Sequence, residues 1–320
     1  MTGLDIHTVA VVGTGVIGRS WIRVFVGAGH PTRVFDPDPD QLAYAMNWLS
    51  EDLERDVAGG LLSSDDASKQ VALAGSVESL EEAISGVDYV QESGPEKLSI
   101  KRAIFSDLDR LAGKDAILAS STSAMDMTEI ASGLEGARRC IVAHPTNPPH
   151  VVPAVEVLGG KNTDSSIIET TVEFLRSVGQ TPVVLNFFVE GFLLNRLQSA
   201  LVREAFNLVQ SGVADVDAVD AVVRDGLGLR WALMGPFGVG NTNADGGVRE
   251  YFTRFRQDYI ELMDDLEGTP PITDEFIERL GQQVDDATHG ASVADINRWR
   301  DTMVTEIRRL KERHPEPWKK

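Results

Sequence analysis

Residues 9–18 read VAVVGTGVIG, and few ten-residue stretches restrict a chain as much. The apolar run at 7–12 suits a buried strand, and 17–28 has helical spacing. Between them Gly13, Gly15 and Gly18 stand in a G-x-G-x-x-G pattern. Gly13 permits the tight turn, Gly15 lets backbone approach a pyrophosphate, and Gly18 lets the helix sit close on the strand. The first helical turn then offers free N–H groups and the positive end of its dipole to an anion. Asp36, 18 positions after Gly18, closes a second strand candidate at 32–36. A carboxylate there accepts hydrogen bonds from an adenosine ribose. A 2′-phosphate at ~4 Å would be repelled by roughly 4 kcal/mol at an effective dielectric of about 20, so NAD is expected rather than NADP. Arg33 could soften that preference if it folded toward the ribose; the competing reading is a solvated arginine at a strand edge.

Further short strand candidates follow at 71–74, 89–92, 116–120, 140–144 and 183–185, with helical stretches between most of them, such as 41–58 before Gly59. This alternation predicts an α/β fold: an N-terminal Rossmann-type, mainly parallel sheet covered on both faces. From about Val189 the pattern turns helical, at 191–210, 215–225, 243–266, 273–284 and 293–313. The expected organisation is therefore a dinucleotide domain over 1–188 and an all-helical substrate and dimerisation domain over 189–320.

Forty-nine acidic against 30 basic residues give a charge of −19, which argues against binding a nucleic-acid backbone. Residues 1–8 lack the basic start of a leader, and no apolar run is long enough to span a bilayer, so no membrane association is expected. Cys140 is the single cysteine, which excludes an internal disulfide and fits a reducing, cytoplasmic setting. The six histidines show no metal-ligand spacing.

The chemistry is expected at ASSTSA (119–124), AHPTNPPH (143–150) and VEV (155–157). Ser123, His144 and Glu156 are expected at or just beyond carboxyl ends of strands, the edge where open α/β sheets bind ligands. The prolines after His144 place it on an extended loop. An imidazole is a natural base for an alcohol, and a carboxylate on its other nitrogen fixes the tautomer and stabilises the imidazolium.

Gly13–Gly18, Ser120–Ser123, His144–Pro148, Glu156 and GFLLNR at 191–196 together resemble the 3-hydroxyacyl-CoA dehydrogenase superfamily. VQESGPE (90–96), CIVAHPTNPP (140–149), GFLLNRLQ (191–198), GLGLRWALMGP (226–236) and RWRD (298–301) are similar to its lambda-crystallin/L-gulonate 3-dehydrogenase branch, over essentially the whole chain. The resemblance implies His144 as base and Glu156 as its partner, with Ser123 and Asn195 on the reacting oxygen. It further implies Asp36, Glu96 and Lys101 as cofactor contacts, with Val16 and Ile17 in the phosphate turn. For Lys101 a solvated helix lysine is the competing reading. The implied reaction is NAD-dependent oxidation of a 3-hydroxy acid, with L-gulonate to 3-dehydro-L-gulonate as the expected case. His150 and Thr146 depart from the branch pattern and lie where a substrate pocket is expected.

L-carnitine dehydrogenase, 3-hydroxyacyl-CoA dehydrogenase and a non-catalytic, crystallin-like NAD-binding protein are the alternatives. A decarboxylating hydroxyacid dehydrogenase fits less well, because that chemistry uses a lysine where this chain has Asn195. Arg230 is a candidate for the substrate carboxylate, since arginine offers bidentate recognition. The helical pattern at 191–208 is apolar on more than one face, which with the resemblance suggests a homodimer. The basic residues of the last helix, Arg298, Arg300, Arg308, Arg309 and Lys311, suit a solvated face or an intersubunit contact.

Overall fold

A computed structural model describes residues 6–266 and 268–315. Two compact units divide after Leu194, whereas the sequence pattern changes near residue 188.

The first unit opens with β1 (Val9–Val12), α1 (Val16–Gly27), β2 (Thr32–Phe35) and α2 (Pro39–Ala58). Asp38 caps α2 by accepting from the N–H groups of Asp40 and Gln41. Next come α3 (Ser64–Leu73), β3 (Ala74–Ser76), α4 (Leu80–Ile84), β4 (Tyr89–Glu92), α5 (Leu98–Leu111), β5 (Ile117–Ser120) and α6 (Met127–Ile130). The unit continues with β6 (Cys140–Pro145), β7 (Ala154–Gly159), α7 (Ser165–Ser177) and β8 (Thr181–Val184). Among the described residues the strands form one sheet in the order 3-2-1-4-5-6-7-8. β6 and β7 are antiparallel, and every other neighbouring pair is parallel.

Side chains alternate across the sheet, as the strand period of two requires. Val9, Val11, Tyr89, Ile117, Ile141 and Val155 pack on one face against Trp21, Phe25 and Leu49. Ala10, Val12, Val90, Leu118, Val142 and Leu158 pack on the other against Ile84, Phe105 and Leu108. Both faces are thus covered, which is why β1 reads as an unbroken apolar run.

Three expectations are corrected here. Residues 71–73 finish α3, whose N-cap Ser63 accepts from the Asp66 N–H; only Ala74 of that candidate joins a strand. β7 was not expected as a strand, so Glu156 lies within a strand instead of at or beyond its end. His144, which the following prolines were expected to place on a loop, is the fifth residue of β6, at the end of the 140–144 strand candidate. Of residues 1–8, read as lacking a leader, 1–5 lie outside the described residues.

The second unit is helical throughout its described residues. α8 (Leu194–Gln210) is followed by α9 (Val216–Ala221), which runs through a π-helical stretch (Val222–Gly228) into α10 (Leu229–Trp231). The others are α11 (Pro236–Thr242), α12 (Gly247–Arg254), α13 (Arg256–Asp265), α14 (Asp274–Ala287) and α15 (Val293–Arg313). Its core gathers Val209, Val216 and Phe276. No described helix is long and apolar enough to cross a membrane.

Candidate active site

At the β1–α1 turn, Gly13 has φ 90°, and a side chain there would meet Ser93 backbone at 2.8 Å. A side chain on Gly18 would overlap the Gly13 carbonyl. Gly15 is different: a β-carbon there would point into open space, so this glycine keeps room beside the helix end rather than relieving a protein contact. Val16, the first residue of α1, is exposed beside it, and Ile17 packs partly into the core. Asp36 locks the turn, its Oδ2 accepting from Thr14 N at 2.7 Å and Thr14 Oγ1 at 2.9 Å. Its Oδ1 accepts from Asp38 N at 3.0 Å. Arg33 points elsewhere, donating from Nη1 to the Glu82 and Ser85 carbonyls. It therefore does not offset the Asp36 charge at the end of β2. An open cradle at a helix N-terminus with an acid at the next strand end fits a dinucleotide without a 2′-phosphate.

At the ends of β4 and β5 lies a buried charge cluster that the sequence does not advertise. Lys101, on α5, is buried rather than solvated, with 1% of its side chain exposed, and its partner Glu92 has none exposed. The ammonium donates to both Glu92 oxygens at 3.0 Å and to the Gly94 carbonyl at 3.4 Å, and it lies 3.3 Å from Glu96 Oε2. Ser120 Oγ adds a 2.6 Å bond to Glu92 Oε2. Glu96 Oε1 in turn accepts from Thr122 Oγ1 at 2.6 Å, Ser123 N at 2.8 Å and Ser123 Oγ at 3.4 Å. Partial burial pushes the Glu96 carboxyl up, but Thr122, Lys101 and Ser123 outweigh it and hold it below the ordinary carboxylate value. Lys101 thus fixes Glu96, and Glu96 fixes the loop that carries Ser123. Glu92 and Thr122 are the members that the sequence reading missed. The one signal for Glu92 is a charge that closes the strand candidate at 89–92.

The next two strands supply the acid–base pair. In the β6–β7 register His144 lies directly opposite Glu156. Both continue the face of Val142 and Leu158, at the sheet edge where Ser123 follows β5. His144 Nδ1 and Glu156 Oε2 are 2.8 Å apart, both residues buried. Glu156 Oε1 accepts from the N–H groups of Leu193 at 2.7 Å and Leu194 at 3.0 Å. Those donors are aimed by Gly191 and Phe192, at φ 77° and 48°. A non-glycine residue in the left-handed region costs about 1–3 kcal/mol, so the surrounding packing must hold it. Here Phe192 is fully buried, with its ring edge-on to His144 at 5.4 Å. Burial pushes the Glu156 carboxyl up, but His144 and the two N–H groups hold it below the ordinary value. An ionised Glu156 makes Nδ1 the protonated ring nitrogen and leaves Nε2 with its lone pair free to accept a proton.

Asn195 falls in the second unit, in the first turn of α8, as does Arg230, which is exposed on α10. His150, in the loop joining β6 to β7, sits edge-on to Trp48 at 5.4 Å. Burial raises the Cys140 thiol to about 12, which makes it an inert core residue. The described residues hold no cluster of metal-ligating side chains.

Comparison with known proteins agrees with this geometry. Residues 8–187 match the model of the 3-hydroxyacyl-CoA dehydrogenase NAD-binding domain, and residues 191–275 match that of its C-terminal domain. The lambda-crystallin homolog of Bos taurus is 36% identical over 314 residues, covering 96% of this chain and 97% of that protein. L-carnitine dehydrogenase of Oceanobacillus iheyensis is 34% identical over 300 residues, covering 93% and 96%. A solved structure of the NAD⁺-dependent dismutase 5-formyl-3-hydroxy-2-methylpyridine 4-carboxylic acid 5-dehydrogenase superposes with a TM-score of 0.79 at 26% identity, over 96% of this chain and 99% of that one. The chain belongs to the 3-hydroxyacyl-CoA dehydrogenase family, in its lambda-crystallin branch, as an NAD-dependent dehydrogenase of 3-hydroxy acids.

Proposed function

We propose that the protein oxidises the 3-hydroxyl of a small, free hydroxy acid, with L-gulonate, giving 3-dehydro-L-gulonate, as the substrate. The observation that carries this reading is the buried His144–Glu156 pair, whose carboxylate is pinned on its far side by two backbone donors. His144 Nε2 takes the hydroxyl proton, and Glu156 stabilises the imidazolium that results. Ser123 and Asn195 hydrogen-bond the reacting oxygen, as hydroxyl and then as carbonyl. When bound, NAD would be held by Gly13, Gly15, Val16, Ile17, Gly18 and Asp36, and it would supply the hydride acceptor. Lys101 and Glu96 hold the Ser123 loop beside it. A base of this kind contributes about 10²–10⁴-fold, and orientation must supply the rest.

The substrate is named by similarity to the lambda-crystallin branch. The test is NADH formation by purified protein with L-gulonate, L-carnitine and 3-hydroxybutyryl-CoA. Fastest turnover of L-gulonate supports the assignment. Preference for either other compound reassigns the substrate, and tight NADH binding without turnover of any of them overturns the reading as an enzyme of this class. We further propose a cytoplasmic homodimer, in which exposed apolar residues such as Leu197, Leu229 and Phe237 are covered by a second copy.

A further inference from the structure

Arg19 and Arg23 lie one helical turn apart on α1, and both face α2. Their surroundings differ in kind. Arg23 is neutralised: Nε donates to Asp52 at 3.2 Å, Nη2 to Asp56 at 2.5 Å and Nη1 to Gln70 at 2.9 Å. Arg19, one turn nearer the glycine loop, meets aromatic rings instead. Its guanidinium carbon lies 5.3 Å from the Tyr44 ring centre and 5.1 Å from that of Trp48. Tyr44, Trp48, Asp52 and Asp56 form a single i,i+4 stripe along α2, so the stripe changes from acids to aromatics where it reaches the ligand edge of the sheet. Among the described residues Arg19 has no carboxylate partner, and its Nε is buried without a hydrogen bond. In a chain of charge −19 a half-buried cation left without an acid is conspicuous.

A purely structural role does not account for this arrangement. Two rings can be packed by an apolar side chain, with no cost for desolvating Nε. Stacking against aromatics does what an anion site requires: it fixes the guanidinium plane without neutralising its charge. The site also reaches the β6–β7 loop, because Trp48 touches His150, in the loop that leaves the strand carrying His144. The backbone donors suited to a pyrophosphate lie at the start of α1, whereas Arg19 is turned toward α2.

We propose that Arg19, held by Tyr44 and Trp48, binds the carboxylate of the hydroxy acid and selects acids over neutral alcohols. This rests on the proposed function, and it names Arg19 as the carboxylate anchor in place of Arg230. The test compares L-gulonate with its neutral amide by calorimetric titration onto the NADH-bound protein, which needs no turnover. The variants are Arg19→Met, Arg19→Lys and Arg230→Met, and NADH affinity is read separately by fluorescence. Arg19→Met is expected to weaken the acid by about ten- to a hundredfold, the range for a lost charge-assisted hydrogen bond. The amide should shift by about twofold or less, NADH affinity should hold, and Arg19→Lys should fall between.

Three results overturn the proposal: weaker NADH binding with acid selectivity intact, which assigns Arg19 to the pyrophosphate; equal weakening of acid and amide, which makes it packing; or acid-specific loss in Arg230→Met alone. The pair 3-hydroxybutyrate and 3-hydroxybutyramide is run alongside, and failure of the wild type to bind either acid also overturns it. Binding without turnover overturns the oxidation reading alone, because the Arg19 comparison is read from affinity.

Discussion

Replacing Glu156 by glutamine changes one oxygen for an NH₂ group and almost nothing else, and the local donors dictate how the amide must sit. Oε1 already receives the N–H groups of Leu193 and Leu194. Two donors cannot face an NH₂ group, so the amide carbonyl takes their side and the NH₂ turns toward His144 Nδ1. That nitrogen must then accept, which moves the ring proton to Nε2, the atom proposed to receive the proton of the substrate. Charge is lost as well. With about 4 Å between charge centres and an effective dielectric of about 20, the carboxylate stabilises an imidazolium by roughly 4 kcal/mol, near three powers of ten in rate. Tautomer and charge act together, so kcat for the hydroxy acid in Glu156→Gln should fall about 10³–10⁴-fold, with NADH affinity within about twofold of wild type. Steady-state turnover and NADH fluorescence titration measure the two quantities. Retention of more than about a tenth of the wild-type kcat would refute the pairing as the source of the base.

His144→Asn should likewise keep NADH binding while turnover falls by orders of magnitude, as stopped-flow absorbance of NADH would show. Asp36→Asn removes the charge that opposes a 2′-phosphate while keeping an acceptor for Thr14, so the ratio of kcat/KM for NADP to that for NAD should rise by about 10²–10³-fold. Lys101→Met strands the fully buried Glu92 carboxylate and should cost about 3–5 kcal/mol in urea unfolding. Adding Glu92→Gln should recover much of that loss. The Glu156 carboxyl titrates below its ordinary 4.5 in the folded state, so its stabilising effect is present above that pH and lost as pH falls through the lower folded value. The stability gap between wild type and Glu156→Gln should therefore narrow below the ordinary carboxylate range, as Glu156 takes up its proton; a gap that still widens there contradicts the sign.

The glycine turn was legible because each of its constraints is local: tight turn, close packing and free helix end lie within ten residues. His144 and Glu156 could be named as partners, and His144 ends the 140–144 strand candidate, but Glu156 was expected at or beyond a strand end and lies within β7. Strand β7 starts directly after Pro153 and ends at Gly159 of the Gly159-Gly160 pair, and its antiparallel pairing is a register that no local pattern displays. Lys101 shows the opposite limit. A lysine on an amphipathic helix is normally solvated, and only the fold reveals that Glu92, nine residues earlier, faces it at the end of a buried strand. At residues 71–73 the apolar residues that suggested a strand serve the last turn of α3, where the Ser63 cap and the helical spacing prevail.

The rungs of the β6–β7 ladder set His144 against Glu156, while the hairpin tip between them, residues 146–153, contains His150 and hangs outside that ladder. The His144–Glu156 pair and the tip that touches Trp48 therefore occupy different parts of one hairpin. Substitutions, even insertions, at the tip can leave the register of that pair intact. A single-residue deletion inside β7 would turn Glu156 to the opposite face and silence the enzyme, however well the rest of it folds.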